Sequence, residues 1–350
     1  MKKFSIILLC SVAFAACQSN TAGNHADQVI ANGQMPDIVN DGAAKFHLVY
    51  GTGDSIMYAH SEDNGLSFST PSLVMALKKL AASHSRGPQV AATSTGLVIT
   101  ACTNEGNIFS FVKEGTADWT EGGRVNDQDT VAKENLMALG ADGSTAFAVW
   151  LDLRSGHNQI FGARSTDGGK TWSRNQLIYS SPDTTVCQCC KPSVAVKGDH
   201  VAVMFRNWLN GNRDLYLIQS ADGGLSFGSA QKLGKGSWAL NGCPMDGGGL
   251  TIAENGAVNT VWNRKGVIYS AQPLMEEREL GTGRNCTMTT VNGKNVYAWI
   301  ENKEVVVMKP AGAKVNLGEG MQPVLKAAGN EHVLCVWEKD KQIHKAVLEL

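Results

Sequence analysis

The chain of 350 residues carries 31 basic and 32 acidic side chains, a formal net charge of −1, which gives no electrostatic case for a nucleic-acid partner. Its 38 glycines and modest 18% of charged residues suit a globular chain with many turns. Beyond the first apolar run, no stretch is long enough to span a membrane as a helix.

The N-terminus sets the expected address. Lys2-Lys3 precedes an apolar run from Phe4 to Phe14 that is too short for a membrane span and reads as a secretion signal. The run ends in Phe14-Ala15-Ala16-Cys17, which resembles a bacterial lipobox with Cys17 as the lipidated residue. Phe14 stands where an aliphatic residue is usual, so cleavage nearby without lipidation is the alternative. The expected organisation is a leader over 1–16, a polar tether over 17–26 and one globular unit over 27–350. The protein is then exported and held at a bacterial membrane by lipid alone, in the periplasm or at the cell surface.

From residue 27 onward the chain reads as strands, with alternating apolar and polar residues and Gly-rich punctuation. Seven units begin at Pro36, Pro88, Asn135, Pro192, Pro244, Cys286 and Pro323. Their second strands follow in register at Leu48–Tyr50, Ile99–Cys102, Ala148–Trp150, Val203–Phe205, Thr260–Trp262, Tyr297–Trp299 and Cys335–Trp337. Repeats of this length running to the last residue predict an all-β fold, a single β-propeller with seven blades rather than six. The last unit stops after its third strand. Asp27-Gln28-Val29-Ile30-Ala31 reads like the outer strands at Asn175–Ile178 and Ala230–Leu233, so an N-terminal strand is expected to close the ring and remove its open edge.

One phrase recurs three times: Ser61-Glu62-Asp63-Asn64-Gly65-Leu66-Ser67-Phe68, Ser165-Thr166-Asp167-Gly168-Gly169-Lys170-Thr171-Trp172 and Ser220-Ala221-Asp222-Gly223-Gly224-Leu225-Ser226-Phe227. The Asp can accept hydrogen bonds from turn amides, the Gly can take a positive φ, and the aromatic anchors the outgoing strand. The phrase resembles the Asp-box, or bacterial neuraminidase repeat, of the sialidase superfamily of β-propellers. In that superfamily the turn lies on the face away from the active site, and six blades are usual, so seven is a departure.

In a propeller, the loops leading into each inner strand share a face with the loops joining second and third strands. Sorted this way, thiols gather at one mouth: Cys187, Cys189 and Cys190 before blade 4, Cys243 before blade 5 and Cys286 at the start of blade 6. Met245 and Met288 each follow a Cys by two residues. Cys102 points towards the same face, and Cys335 reads as ordinary core. Three chemistries fit. In an oxidising compartment the thiols form disulfides, one joining the Cys187–Cys190 loop to Cys243 or Cys286. As thiolates and thioethers, Cys187, Cys189, Cys190, Cys243, Met245, Cys286 and Met288 would hold a soft metal, copper or zinc. A thiol redox role is the third, although nothing resembles a thioredoxin-type unit.

A polar set shares this face: Arg154, Asn207, Trp208, Arg213, Asp246, Asn263 and Arg284. Arginine forks a carboxylate and tryptophan stacks on a sugar ring, so the expected ligand is a glycan or small molecule bound by a monomer. The alternative is that these residues bond blade to blade. The resemblance to sialidases implies a second function, exo-sialidase-type hydrolysis. It calls for three arginines on the substrate carboxylate, a tyrosine nucleophile and an aspartic acid/base. The nearest candidates are Arg86, Arg206 and Arg264, Tyr269 and Asp152. Ser85-Arg86-Gly87-Pro88 keeps the Arg and Pro of the family's first arginine phrase but not its aromatic and Ile.

Overall fold

The computed structural model describes residues 24–42 and 44–350. The expected leader, Cys17 and most of the expected tether lie outside them. Among the described residues all helices are absent, and 28 strands form seven antiparallel sheets of four. The molecule is a seven-bladed β-propeller. The inner strands are Gln34–Asn40, Gln89–Thr93, Met137–Asp142, Ser193–Lys197, Gly248–Ile252, Arg284–Val291 and Met321–Ala328. Six of the expected blade starts lie within or no more than two residues from one of them, and Pro244 stands four residues before Gly248.

Blades 1 to 6 each use four consecutive strands. Blade 7 takes three from the C-terminus and its outermost from Asn24–Asn32, with Gln28 opposite Lys345 and Asn32 opposite Gln342. This closure matches the expectation drawn from the outer-strand likeness. The strand starts at Asn24 rather than Asp27 and so takes in the end of the expected tether.

The core lies between blades, not within one. Seven buried clusters each join neighbours around the ring, the last linking Ile38, Phe46 and Leu48 of blade 1 to Leu334, Val336 and Val347 of blade 7. Trp150, Trp262, Trp299 and Trp337 each stand two residues before the end of a second strand and are among the largest fully buried side chains. Such rings each bury an area that dominates core energetics. A sheet of four strands with two apolar faces has to be covered on both, and the ring does so without a further layer.

The three recurring phrases are built alike. In the second, Ser165 Oγ donates to Asp167 Oδ1 at 2.7 Å and accepts from Gly169 N at 2.8 Å. Thr171 donates to the same carboxylate through its amide (3.0 Å) and its hydroxyl (2.5 Å). The other two turns repeat this with Ser67 and Ser226. Burial pushes the carboxyls of Asp63 and Asp167 up, but the bonds from these hydroxyls and amides outweigh it and hold both below the usual range. Gly169 has φ +90°, and a Cβ there would lie 2.2 Å from Val98 Cγ2 of blade 2. Gly65 and Gly224 press on Leu334 and Phe147 in the same way. Each turn therefore locks its blade onto the preceding one, and all three join third to fourth strands, away from the mouth.

Candidate functional site

The loop leading into blade 4 brings three sulfurs together. Its backbone is anchored by Val186 N donating to Asn158 O (2.9 Å) and Cys187 N donating to Arg206 O (3.0 Å). Cys189 forms a disulfide with Cys243 on the loop leading into blade 5, across a Cα separation of 6.2 Å. One of the two pairings expected from the sequence is thus present. Cys187 Sγ lies 3.2 Å from Cys190 Sγ and 3.7 Å from Cys189 Sγ. Cys187 and Cys190 are buried, Cys189 is half-buried and Cys243 is exposed.

Arg213 stands over this cluster. Its Nη1 donates to Cys187 Sγ at 3.0 Å, and its guanidinium lies 4.0 Å from the Trp208 ring centroid. The hydrogen bond shared with Cys190, and then the charges of Arg213 and Arg206, hold the Cys187 thiol below its ordinary range although burial opposes this. Burial and the neighbouring Cys187 push Cys190 well up. The surroundings thus favour the thiolate form at Cys187 and the thiol form at Cys190.

The disulfide divides the expected metal set. The sulfurs of Cys187, Cys189 and Cys190 lie within 4.8 Å of one another, and a tetrahedral zinc–thiolate site needs sulfurs roughly 3.8 Å apart. The cradle is of the right size. With Cys189 and Cys243 joined, however, only Cys187 and Cys190 remain as thiolate donors. Cys286 and Met288 are core residues packed with Val261, Ile268 and Trp299 between blades 5 and 6. Cys102 is core as well, its thiol pushed up to about 12 by burial, and Cys335 is core in blade 7, its thiol also pushed up by burial. Strand alternation turns these side chains inward, so nearness to the mouth along the chain did not bring them to it.

The mouth holds an open cleft of about 1100 Å³. The loops leading into blades 5, 6 and 7 and the second-to-third-strand hairpins of the same blades line it. Asn263, Arg284 and Met245 of the expected residues border it, with Cys243 at its edge. Arg284 is exposed, its Nε bonded to Asn285 Oδ1 at 2.9 Å. Trp238, Lys303 and Lys339 also face the cleft and were not expected from the sequence. Trp238 follows no strand pattern, and its only signal was a tryptophan in a Gly- and Ser-rich loop.

Below the mouth, inner strands enclose an axial cavity of about 220 Å³. Asp246 borders it, accepting from Asn263 Nδ2 (2.7 Å) and Asn285 N (3.1 Å), while its buried Oδ1 has no hydrogen-bond partner. Burial pushes this carboxyl up. Lys191 donates to Gln89 Oε1 at 2.6 Å in the same cavity, and burial pulls its ammonium pKa down.

The candidates carried over from sialidases are not gathered around one space. Arg206 is 1% exposed and donates to the carbonyls of Asp246 (3.0 Å), Arg213 (2.7 Å) and Asn263 (2.9 Å). Asp152 is fully buried, accepting from Trp150 Nε1 and from Arg154 Nε and Nη2 at 2.8–2.9 Å. Arg154 also bonds Asp127 and Asn175. Arg264 forks Glu277 at 2.7 and 2.5 Å and lies 4.1 Å from the Tyr269 ring centroid. Arg264 and Tyr269 line neither the cleft nor the axial cavity. Arg86 donates to the carbonyls of Glu134 and His84 at 2.7 and 2.9 Å. Asn207 is buried with its Nδ2 on Tyr179 Oη at 2.8 Å. Arg86, Arg206 and Asn207 bond from blade to blade, whereas Asp152 with Arg154, and Arg264 with Glu277, form ion pairs within one blade.

No protein-family model and no curated protein matches the chain. Solved structures do. Virginiamycin B lyase from Staphylococcus aureus superposes with a TM-score of 0.53 at 14% identity, over 92% of this chain and 99% of that one. The SapL1 lectin, solved with alpha methyl fucoside, gives 0.50 at 12%, over 85% and 98%. NanB sialidase from Streptococcus pneumoniae gives 0.48 at 11%, over 94% and 70%. At these identities the likeness is one of fold.

Proposed function

We propose that the protein is an exported, lipid-anchored propeller that binds a small polar ligand, a glycan in the first instance, in the cleft at its mouth. The observation that carries this is the cleft itself. Its volume is slightly above the usual range for small-ligand sites, and its wall combines an aromatic ring, Trp238, with Arg284, Asn285, Lys303 and Lys339. Trp238 offers a face for a sugar ring, and Arg284 with the two lysines offers charge to a carboxylate or other anionic substituent. The rigid ring presents these groups on loops, where binding residues commonly sit.

Hydrolysis of a sialoside draws no comparable support. A carboxylate clamp needs arginines with free guanidinium edges, whereas Arg154, Arg206 and Arg264 are engaged within the protein. The reading is tested by screening the full chain against neutral and acidic glycans, then measuring affinity by calorimetry. Trp238→Ala and Arg284→Ala should each weaken a hit at least tenfold. Affinity equal to wild type in both variants, or release of product from a fluorogenic sialoside, would overturn it.

A further inference from the structure

We infer that the thiol cluster is a dithiol–disulfide exchange centre, in which Cys187 and Cys190 form a buried redox pair that communicates with solvent through the Cys189–Cys243 disulfide. This goes beyond ligand binding in the cleft and does not depend on it.

The geometry has three parts. A free sulfur, Cys187, is in contact with one sulfur of an existing disulfide, 3.7 Å from Cys189 Sγ. A second free sulfur, Cys190, stands 3.2 Å from Cys187, and the three sulfurs lie within 4.8 Å of one another. The far sulfur of the disulfide, on Cys243, belongs to an exposed residue at the edge of the cleft. A disulfide serving structure alone gains nothing from a thiolate placed against it, because the thiolate can open it by exchange. The Arg213 guanidinium, 3.0 Å from Cys187 Sγ, favours the nucleophilic form.

The steps balance within the protein. The Cys187 thiolate attacks Cys189 Sγ; a Cys187–Cys189 bond forms, the Cys189–Cys243 bond breaks, and its electron pair leaves on Cys243, which is open to solvent protons. Cys190 then passes its proton to the departing Cys189 sulfur and attacks Cys187 Sγ, so that Cys187–Cys190 forms, Cys187–Cys189 breaks and Cys189 leaves as a thiol. The buried dithiol is oxidised and the mouth disulfide reduced, by two electrons each. An external disulfide can then re-oxidise Cys189 and Cys243, itself becoming a dithiol. Cys187 and Cys190 have the C-x-x-C spacing found in disulfide oxidoreductases, here on a propeller loop.

The test uses the full chain as purified, with no added reductant. A maleimide probe should label Cys243, because attack by Cys187 frees it, and Cys187→Ser should lower the labelling rate at least tenfold. In wild type the rate should level off with rising pH below the ordinary thiol pKa of about 8.5, and Arg213→Gln should move that plateau upward. Cys190→Ser lacks the second nucleophile and should accumulate the Cys187–Cys189 disulfide, seen by peptide mapping after acid quench. In a glutathione redox series, wild type should show Cys187–Cys190 at the oxidising end. Labelling of Cys243 unchanged by Cys187→Ser, a Cys189–Cys243 disulfide as the sole species at every ratio, or a stoichiometric zinc or copper ion on four reduced thiols would each overturn the inference.

Discussion

Replacing Arg206 with methionine separates a structural arginine from one that serves a substrate. The guanidinium is buried at the junction of blades 4 and 5, and each of its three bonds ends on a backbone carbonyl, at 2.7 to 3.0 Å. Hydrogen bonds from a charged donor contribute roughly 1.5–3 kcal/mol each. Three give about 4–9 kcal/mol before relaxation. Methionine keeps much of the apolar stem, and water from the nearby mouth can reach some of the freed carbonyls, so a net loss of about 3–5 kcal/mol is expected. Urea unfolding followed by tryptophan fluorescence measures it directly. A variant as stable as wild type, to within about 0.5 kcal/mol, would show that the three bonds carry no load and would return Arg206 to the list of ligand-binding candidates.

Three further outcomes follow from the fold. Gly169→Ala forces a Cβ into Val98 at a φ of +90°, and should cost about 2–4 kcal/mol in the same assay; a loss below 1 kcal/mol would mean blades 2 and 3 are not locked there. Asp167→Asn should cost about 1 kcal/mol at pH 7. Because the folded carboxyl lies below its usual range, its contribution is complete above the unfolded value of about 3.9 and fades as pH falls through the lower folded one. The gap between variant and wild type should therefore close in acid, and a gap independent of pH would contradict the turn geometry. Removing residues 24–32 strips the outermost strand from blade 7 and exposes the edge of Gln342–Glu349; broader unfolding and concentration-dependent aggregation by light scattering are expected, against an unchanged melt if the strand is dispensable.

The architecture was legible because each blade repeats a strong local signal. A Pro, Asn or Cys opens the inner strand, and an aromatic or Cys stands near the end of the second, where it is buried against the next blade. Even the closing strand could be read, from the likeness of Gln28–Ile30 to other outer strands. The site was legible only in part. That Cys187–Cys190 should meet the loop of blade 5 or blade 6 followed from their sharing the mouth of the ring, but the choice of Cys243 depends on loop path. Cys286 follows the alternation of its strand into the core, a cue that outranks its place near the mouth. The arginines were the least legible. Arg154 finds its carboxylate two residues away at Asp152, and Arg264 finds Glu277 across a hairpin, so residues that look poised for a ligand are satisfied at home. Trp238 and the C-x-x-C spacing inside the Cys187–Cys190 loop were signals present and not used.

Non-reducing peptide mapping of the native full chain tests most directly whether the ring brings the mouth sulfurs together. The structure calls for one cross-link between the peptides carrying Cys189 and Cys243, with Cys187, Cys190, Cys102, Cys286 and Cys335 recovered as free thiols. Recovery of Cys189 or Cys243 joined to Cys286, Cys102 or Cys335 would contradict the arrangement of the loops leading into blades 4 and 5.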